Sequence, residues 1–156
     1  MTSLNIGSGG PCPEEGWFGI DAFTDCDIKT MMWDLNMFEA GSVDHIYSSH
    51  SLEHISKHQV MPTLKEWNRV LKSGGTIELL VPDLVWCINH FTQNQSSGWE
   101  LDIIFGHQAH DGEYHKTGFS ESIIRDYFRQ VPFAIDKIEF IPTHGQQTIR
   151  TFAHKP

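Results

Sequence analysis

No unbroken apolar stretch in this sequence approaches the roughly 20 residues a bilayer-spanning helix needs, so nothing in it reads as a membrane span. Positive charge is scarce as well. Only 11 Lys and Arg stand against 20 Asp and Glu, giving a formal charge of -9, and no basic run or stripe offsets that balance. Such a chain repels a phosphate backbone, which disfavours extended nucleic-acid binding. It leaves room for a nucleotide-sized ligand, because helix N-termini and Gly-rich turns hold such groups through backbone amides. Cysteines are few: Cys12, Cys26 and Cys87 form no C-x-x-C pair, so neither a disulfide framework nor a zinc ribbon is expected, and they read as free thiols. Internal repeats are lacking, and no basic segment precedes the first apolar run, which argues against a signal or transit peptide and for a cytoplasmic location.

What is there suits one domain spanning residues 1–156. Short apolar segments bounded by turn residues predict strands at Leu4–Ile6, Trp17–Ile20, Thr30–Trp33, Val43–Ser48, Thr76–Val81, Ile135–Ile141 and Gln147–Ala153. The last two are joined by Pro142-Thr143-His144-Gly145-Gln146, too short for a helical crossover and suited to an antiparallel return. A helix is predicted from Pro62, as its first residue, to a stop at Gly74, with Leu64, Trp67 and Leu71 on one face. Another follows Ser120 as N-cap, with Ile123, Ile124, Tyr127 and Phe128 as its apolar stripe, and a weaker one runs from Asp83 to about Phe91. Trp67, Trp86, Phe91, Phe128, Phe133 and Phe140 read as core. Strands alternating with helices imply an α/β fold with a mainly parallel sheet, which places ligands at the carboxyl ends of its strands.

The first strand runs into Gly7-Ser8-Gly9-Gly10, a turn whose missing side chains let backbone approach a ligand. Taken alone, it could equally be a tight turn chosen for conformation. The second strand ends in Gly19-Ile20-Asp21, which puts a carboxylate where acidic residues accept hydrogen bonds from ribose hydroxyls, and the third ends in Trp33-Asp34-Leu35. Trp33 and Phe38, flanking Asp34, are candidate walls for a planar base.

Here the sequence resembles a family, the class I S-adenosylmethionine-dependent methyltransferases, and within it a short branch found beside sugar and cell-envelope biosynthesis genes. Leu4-Asn5-Ile6-Gly7-Ser8-Gly9-Gly10 is similar to the family's first motif and Gly16–Asp21 to its second strand with the ribose-binding acid. Ser42–Ile55 is similar to the fourth strand and the loop that lines the methionine end of the cofactor. Glu66–Gly75 with Val81–Leu84 resembles the following helix, turn and fifth strand, and His115–Phe119 a later motif. The resemblance implies a Rossmann-like, seven-stranded, mostly parallel sheet with an antiparallel last strand. It also implies S-adenosylmethionine as cofactor, held by Asn5, Gly7, Ser8, Gly9, Asp21, Asp34, Leu35 and Ser49, with Asp34 toward adenine. Two departures stand out: Asn5 replaces an acid that helps hold the methionine amino group, and Pro11–Gly16 leaves no room for the usual first crossover helix, which must be shortened or missing.

His50-Ser51-Leu52-Glu53-His54 also matches H-x-x-E-H, a zinc-ligand pattern of one metalloprotease class. That chemistry needs both histidines inside a helix, a third protein ligand and an open water position, whereas His50 here follows a strand directly; no metal ligand set is expected. His54 reads equally as a partly buried histidine bonded to backbone. The polar run Gln93–Gly98 is expected to open a mobile segment. The stretch from Asn94 to Phe119 has little periodicity and gathers His107, His110, Asp111, Glu113, Tyr114 and His115. Residues 83–119 are therefore expected to form a substrate-facing lid, although a solvated loop accounts for any single residue there equally well.

Methyl transfer to a hydroxyl needs alignment and a general base, and imidazole, with an ordinary pKa of about 6.5, suits neutral pH. His50 is the first candidate, followed by His115 and Asp83. The expected acceptor is a small molecule or saccharide. The alternatives are a methyltransferase fold kept as a binding or scaffold protein, a zinc hydrolase built on His50, Glu53 and His54, and, most distantly, a dinucleotide-dependent oxidoreductase, for which the G-x-G-x-x-G spacing is incomplete.

Overall fold

A computed structural model describes residues 1–12, 14–94 and 98–156. Its elements run β1 (Ser3–Ile6), β2 (Trp17–Asp21), β3 (Ile28–Lys29), β4 (Val43–Ser49), α1 (Lys57–Val70), β5 (Leu71–Pro82), α2 (Leu84–Asn94), α3 (Trp99–Phe105), α4 (Glu121–Gln130), β6 (Ala134–Thr143) and β7 (Gln146–His154), with single 3-10 turns at Leu52–His54 and Asp111–Glu113. The seven strands form one sheet in the order β3-β2-β1-β4-β5-β7-β6. Strands β3 through β5 pair in parallel, and β7 runs antiparallel to both β5 and β6. The seven-stranded Rossmann-like α/β architecture expected from the sequence is thus the one observed. No helix among the described residues is long and apolar enough to cross a membrane.

Register explains the core. Leu4 pairs with Phe18 and Ile46, and Ile46 pairs with Ile77, so one sheet face carries a continuous apolar row. Val60, Leu64, Trp67 and Val70 of α1 and Ile124 and Phe128 of α4 close over that row, and all are essentially inaccessible. The other face carries polar and aromatic side chains: Trp17 stands edge-on to His45, with ring centroids 5.6 Å apart, and Arg150 bridges Glu78 and Glu139. The β1–β2 connection contains no helix among its described residues, as the short spacing required, and the β2–β3 and β3–β4 connections contain none either.

Several local expectations are corrected. The third strand is Ile28–Lys29, not Thr30–Trp33, because the latter's backbone is used elsewhere: Thr30 N–H donates to the Asp21 carbonyl, Asp34 N–H to that of Met31, and the Trp67 indole to that of Met32. Helix α1 starts at Lys57, five residues before Pro62, after Ser56 as N-cap. Ile55 and Val60, both buried, flank that cap at the positions of a hydrophobic staple, and Pro62 forfeits one intrahelical bond. The helix ends at Val70 rather than Gly74, since Gly74 N–H is already paired to the Lys155 carbonyl at the start of β5. Helix α4 behaves as read, with the Ser120 hydroxyl accepting from Ile123 N–H. His144 and Gly145, at φ +49° and +79°, make the tight β6–β7 hairpin turn.

The 83–119 segment is more regular than its sequence suggested, holding α2, α3 and the 3-10 turn. Helix α3 is short, and its apolar residues mix with Glu100 and Asp102, which hides its period. Gln93 and Asn94 belong to α2; residues 95–97, expected to open a mobile segment, lie outside the described residues. Trp67, Phe128 and Phe133 are core, but Phe91 and Phe140 are 37% and 45% exposed, because α2 buries only Cys87 and β6 is the sheet edge.

Candidate functional site

Two adjoining cavities open beside the carboxyl ends of the parallel strands. The first, about 420 Å³, is lined by Gly7 after β1, Ile20 and Asp21 of β2, the Ala22–Thr24 and Thr30–Trp33 segments, and the His50–Gln59 stretch. Its rim includes His110, Glu113 and Lys116. The volume falls within the roughly 300–1,000 Å³ range of small-molecule sites. The second, about 430 Å³, is lined by Glu53, Trp99, Asp102, Ile103, His107, His115 and His144. His50, His54 and Glu113 line both.

The glycine turn is held by close backbone packing. Gly7 N–H donates to the Ile20 carbonyl at 2.8 Å, and the Ser51 hydroxyl, beneath it, donates to the carbonyls of Ile6 and Ser49, both at 3.0 Å. Asp21 ties this turn to the next strand. Its Oδ2 accepts from Gly9 N–H at 3.1 Å and its Oδ1 from Phe23 and Thr24 N–H at 2.8 and 3.0 Å. Partial burial alone would raise the Asp21 pKa, but the amide donors outweigh it and hold the carboxyl below its ordinary value. The carboxylate stays ionised at the cavity wall, with acceptor capacity left on Oδ2.

Glu66-Trp67-Asn68-Arg69 on α1 supports the apolar wall from behind. The Arg69 guanidinium donates to the carbonyls of Leu35 and Phe38 and pairs with Glu66, which also accepts Leu35 N–H. With the Trp67 indole bonded to Met32, these contacts place Met31, Met32 and Trp33 on the cavity.

Of the residues singled out from sequence, Gly7, Asp21, Trp33, His50, His54, His110 and Glu113 line the first cavity, and Gly9 is bonded to Asp21. Asn5 lies mid-strand between Gly19 and Tyr47, and neither it nor Ser8, Asp34, Leu35 or Ser49 is among the lining residues. Asp34 is exposed and accepts from the Asn36 amide, Leu35 is wholly buried in the core, and Phe38 packs against Phe18. Asp83 lines neither cavity; its carboxylate accepts from Val85 N–H and the Gln147 amide, locking the end of β5 to α2 and β7. His115 faces the second cavity, 4.7 Å between ring centroids from His54, and burial lowers its pKa, with partial opposition from Glu53. His50 follows β4 at φ +49° and the next turn is a single 3-10 turn, so H-x-x-E-H is not laid on one helix face. Thr24, Ser56 and Gln59 were not singled out from sequence, Thr24 because it sits in a loop without periodicity and the other two because they belong to the start of α1, ahead of the helix start expected at Pro62; Ser51 and Met31 lay inside segments that were read, the Ser42–Ile55 motif and the Thr30–Trp33 strand.

Comparison with known proteins agrees with this geometry. Residues 20–79 match the family model of the methyltransferase domain. A SAM-dependent methyltransferase from Archaeoglobus fulgidus superposes with a TM-score of 0.68 at 18% identity, over 99% of this chain and 86% of that one. The 1,6-didemethyltoxoflavin-N1-methyltransferase of Burkholderia thailandensis, solved with 1,6-didemethyltoxoflavin and S-adenosylhomocysteine bound, gives 0.69 at 14% identity, over 99% and 70%. A SAM-dependent methyltransferase from Aquifex aeolicus gives 0.62 at 13%, over 98% and 81%. No curated protein sequence matches the chain. At these identities the superpositions establish the fold, which is that of the S-adenosylmethionine-dependent methyltransferases.

Proposed function

We propose that this chain, with the fold and in part the sequence of a methyltransferase domain, binds S-adenosylmethionine in the first cavity and transfers its methyl group to a small-molecule or saccharide acceptor. The observation that carries the reading is the joint placement of Gly7, the Gly9-bound carboxylate of Asp21 and the Met31–Trp33 wall around one cavity of suitable size. Asp21 accepts the ribose hydroxyls, the open backbone at Gly7 and Gly9 admits the methionine end, and the apolar wall receives adenine. When bound, the cofactor would supply an electrophilic methyl, the electron pair of its carbon–sulfur bond remaining on sulfur as the acceptor oxygen takes the methyl group.

His50 is the residue we assign to the acceptor's proton. It lines both cavities, and its Nδ1 lies 3.6 Å from Glu53 Oε1 while Nε2 is 3.4 Å from the Thr143 and Thr148 hydroxyls. Glu53 stands beside the ring without a hydrogen bond to it, and His50 is the group placed to take the acceptor's proton. Asp83 does not fill this role, because its carboxylate is engaged with Val85 N–H and the Gln147 amide. The segment bearing His110, Glu113 and Lys116 forms the substrate-facing rim.

Isothermal titration with S-adenosylmethionine and S-adenosylhomocysteine, with NAD as control, tests the reading. Micromolar binding that weakens by about 1–3 kcal/mol in Asp21→Ala, the cost of losing a charged acceptor, is expected. Binding of neither ligand would overturn the cofactor assignment and leave a scaffold role. Binding that survives with turnover abolished in His50→Ala supports the base role; equal loss of both counts against it.

A further inference from the structure

We propose that Glu53, His54 and His115 form a binding site for a divalent transition-metal ion of the zinc type, on the wall of the second cavity. One ligand atom from each residue lies within 4.8 Å of the others. Donors around a tetrahedral ion at about 2.0–2.1 Å sit roughly 3.3 Å apart, so small side-chain rotations close the site.

The polar atoms meeting here lack the partners a purely structural cluster would have. Glu53 is 1% exposed, yet among the described residues neither carboxylate oxygen has a hydrogen-bond partner, and His54 Nδ1 is likewise buried and unpartnered. The nearest charge partner of Glu53, His50 Nδ1 at 3.6 Å, is beyond hydrogen-bond reach. Leaving a buried carboxylate so placed is costly, and a cation between it and two imidazoles removes that cost.

His115 is also oriented from behind, and the backbone turn bearing Glu53 is held in place. His115 Nδ1 donates to the Ile103 carbonyl at 2.6 Å, which fixes the tautomer and presents the Nε2 lone pair, the arrangement metal-bound histidines use. The Glu53 carbonyl accepts Lys116 and Thr117 N–H at 2.8 and 3.1 Å, and the Thr117 hydroxyl donates to the Ile55 carbonyl at 2.7 Å, clamping the segment after His115 onto the Glu53 turn. Two imidazoles and one carboxylate suit zinc and its neighbours rather than magnesium, and three protein ligands facing a cavity leave a position for a water or an acceptor oxygen. That last role rests on the methyl-transfer reading, since a metal-held hydroxyl beside His50 would lose its proton more readily; the binding site itself does not.

The test is titration of the EDTA-treated full chain with Zn2+, followed by the visible spectrum of the Co2+ form, with Mg2+ as control. One equivalent of Zn2+ at micromolar affinity or tighter is expected, with cobalt bands of a four- or five-coordinate site. Glu53→Gln and His115→Gln should each weaken binding by about 100-fold, whereas His58→Gln, at an exposed position, should not. Thermal melting in EDTA confirms that the variants are folded, and either suffices if the other is not. No binding tighter than millimolar, or binding that survives both cluster variants, overturns the site. S-adenosylmethionine titration in EDTA run alongside separates the two proposals, because zinc binding without cofactor binding would sink only the methyl-transfer reading.

Discussion

A methyl group placed on Gly7, which sits at φ +73°, would come within 2.2 Å of the Ser51 hydroxyl and 2.4 Å of its Cβ. Ser51 cannot swing aside, because its hydroxyl is bonded to the Ile6 and Ser49 carbonyls at the carboxyl ends of β1 and β4. Gly7→Ala should therefore destabilise the fold by about 2–4 kcal/mol, combining overpacking with the left-handed backbone. Urea unfolding reads the loss. The double variant Gly7→Ala, Ser51→Gly should recover part of it, and a double variant no better than the single would locate the strain elsewhere.

Asp21 predicts an acid-dependent stability. Its carboxyl titrates below the ordinary 3.8 in the folded chain, so its contribution is fully present above that value and is lost as pH falls through the lower folded pKa. Allowing for solvent screening, Asp21→Asn should cost about 1 kcal/mol near neutrality and progressively less below pH 4. Melting temperatures of both proteins between pH 7 and pH 3 give the difference; a gap that does not narrow with acid would mean that the charge contributes nothing.

The Glu66–Arg69 pair predicts an effect at a distance. Arg69→Met removes the donors to the Leu35 and Phe38 carbonyls while keeping the helix. The Met31–Trp33 wall should loosen, and cofactor affinity should fall several-fold with no lining residue changed. Calorimetry on the variant would show this, and unchanged affinity would mean that the Trp67 indole bond to Met32 is sufficient.

Thiol chemistry should separate the cysteines. All three are free, and burial, reinforced by the Asp83 and Glu100 charges, pushes the Cys87 thiol up to about 11. Cys12 and Cys26, partly accessible, should react with a disulfide reagent at pH 7.5 in the native protein, and Cys87 only after unfolding. Native labelling of Cys87 at the same rate would show that α2 opens locally.

Much of this architecture was legible because it is local. A four-residue apolar strand, a glycine turn, the Ser120 cap and the His144-Gly145 hairpin declare themselves within a few residues. The errors arose where backbone groups found distant partners. Thr30–Trp33 looks like a strand, yet Asp21 and Trp67 take its hydrogen bonds, and Gly74 looks like a helix stop until Lys155 pairs with it.

The sequence by itself determined the class of fold and the first two elements of the candidate site, Gly7 and Asp21, because glycine turns and strand-end carboxylates are read in place. Only the tertiary structure decided that Asp83 is part of the frame, that Ser51 supports the glycine turn, and that His115 meets Glu53 and His54. Those meetings depend on strand order and on how the loop after α3 folds back onto the β4 end. Neither leaves a periodic trace along the chain, since the residues they join are brought together by packing rather than by spacing.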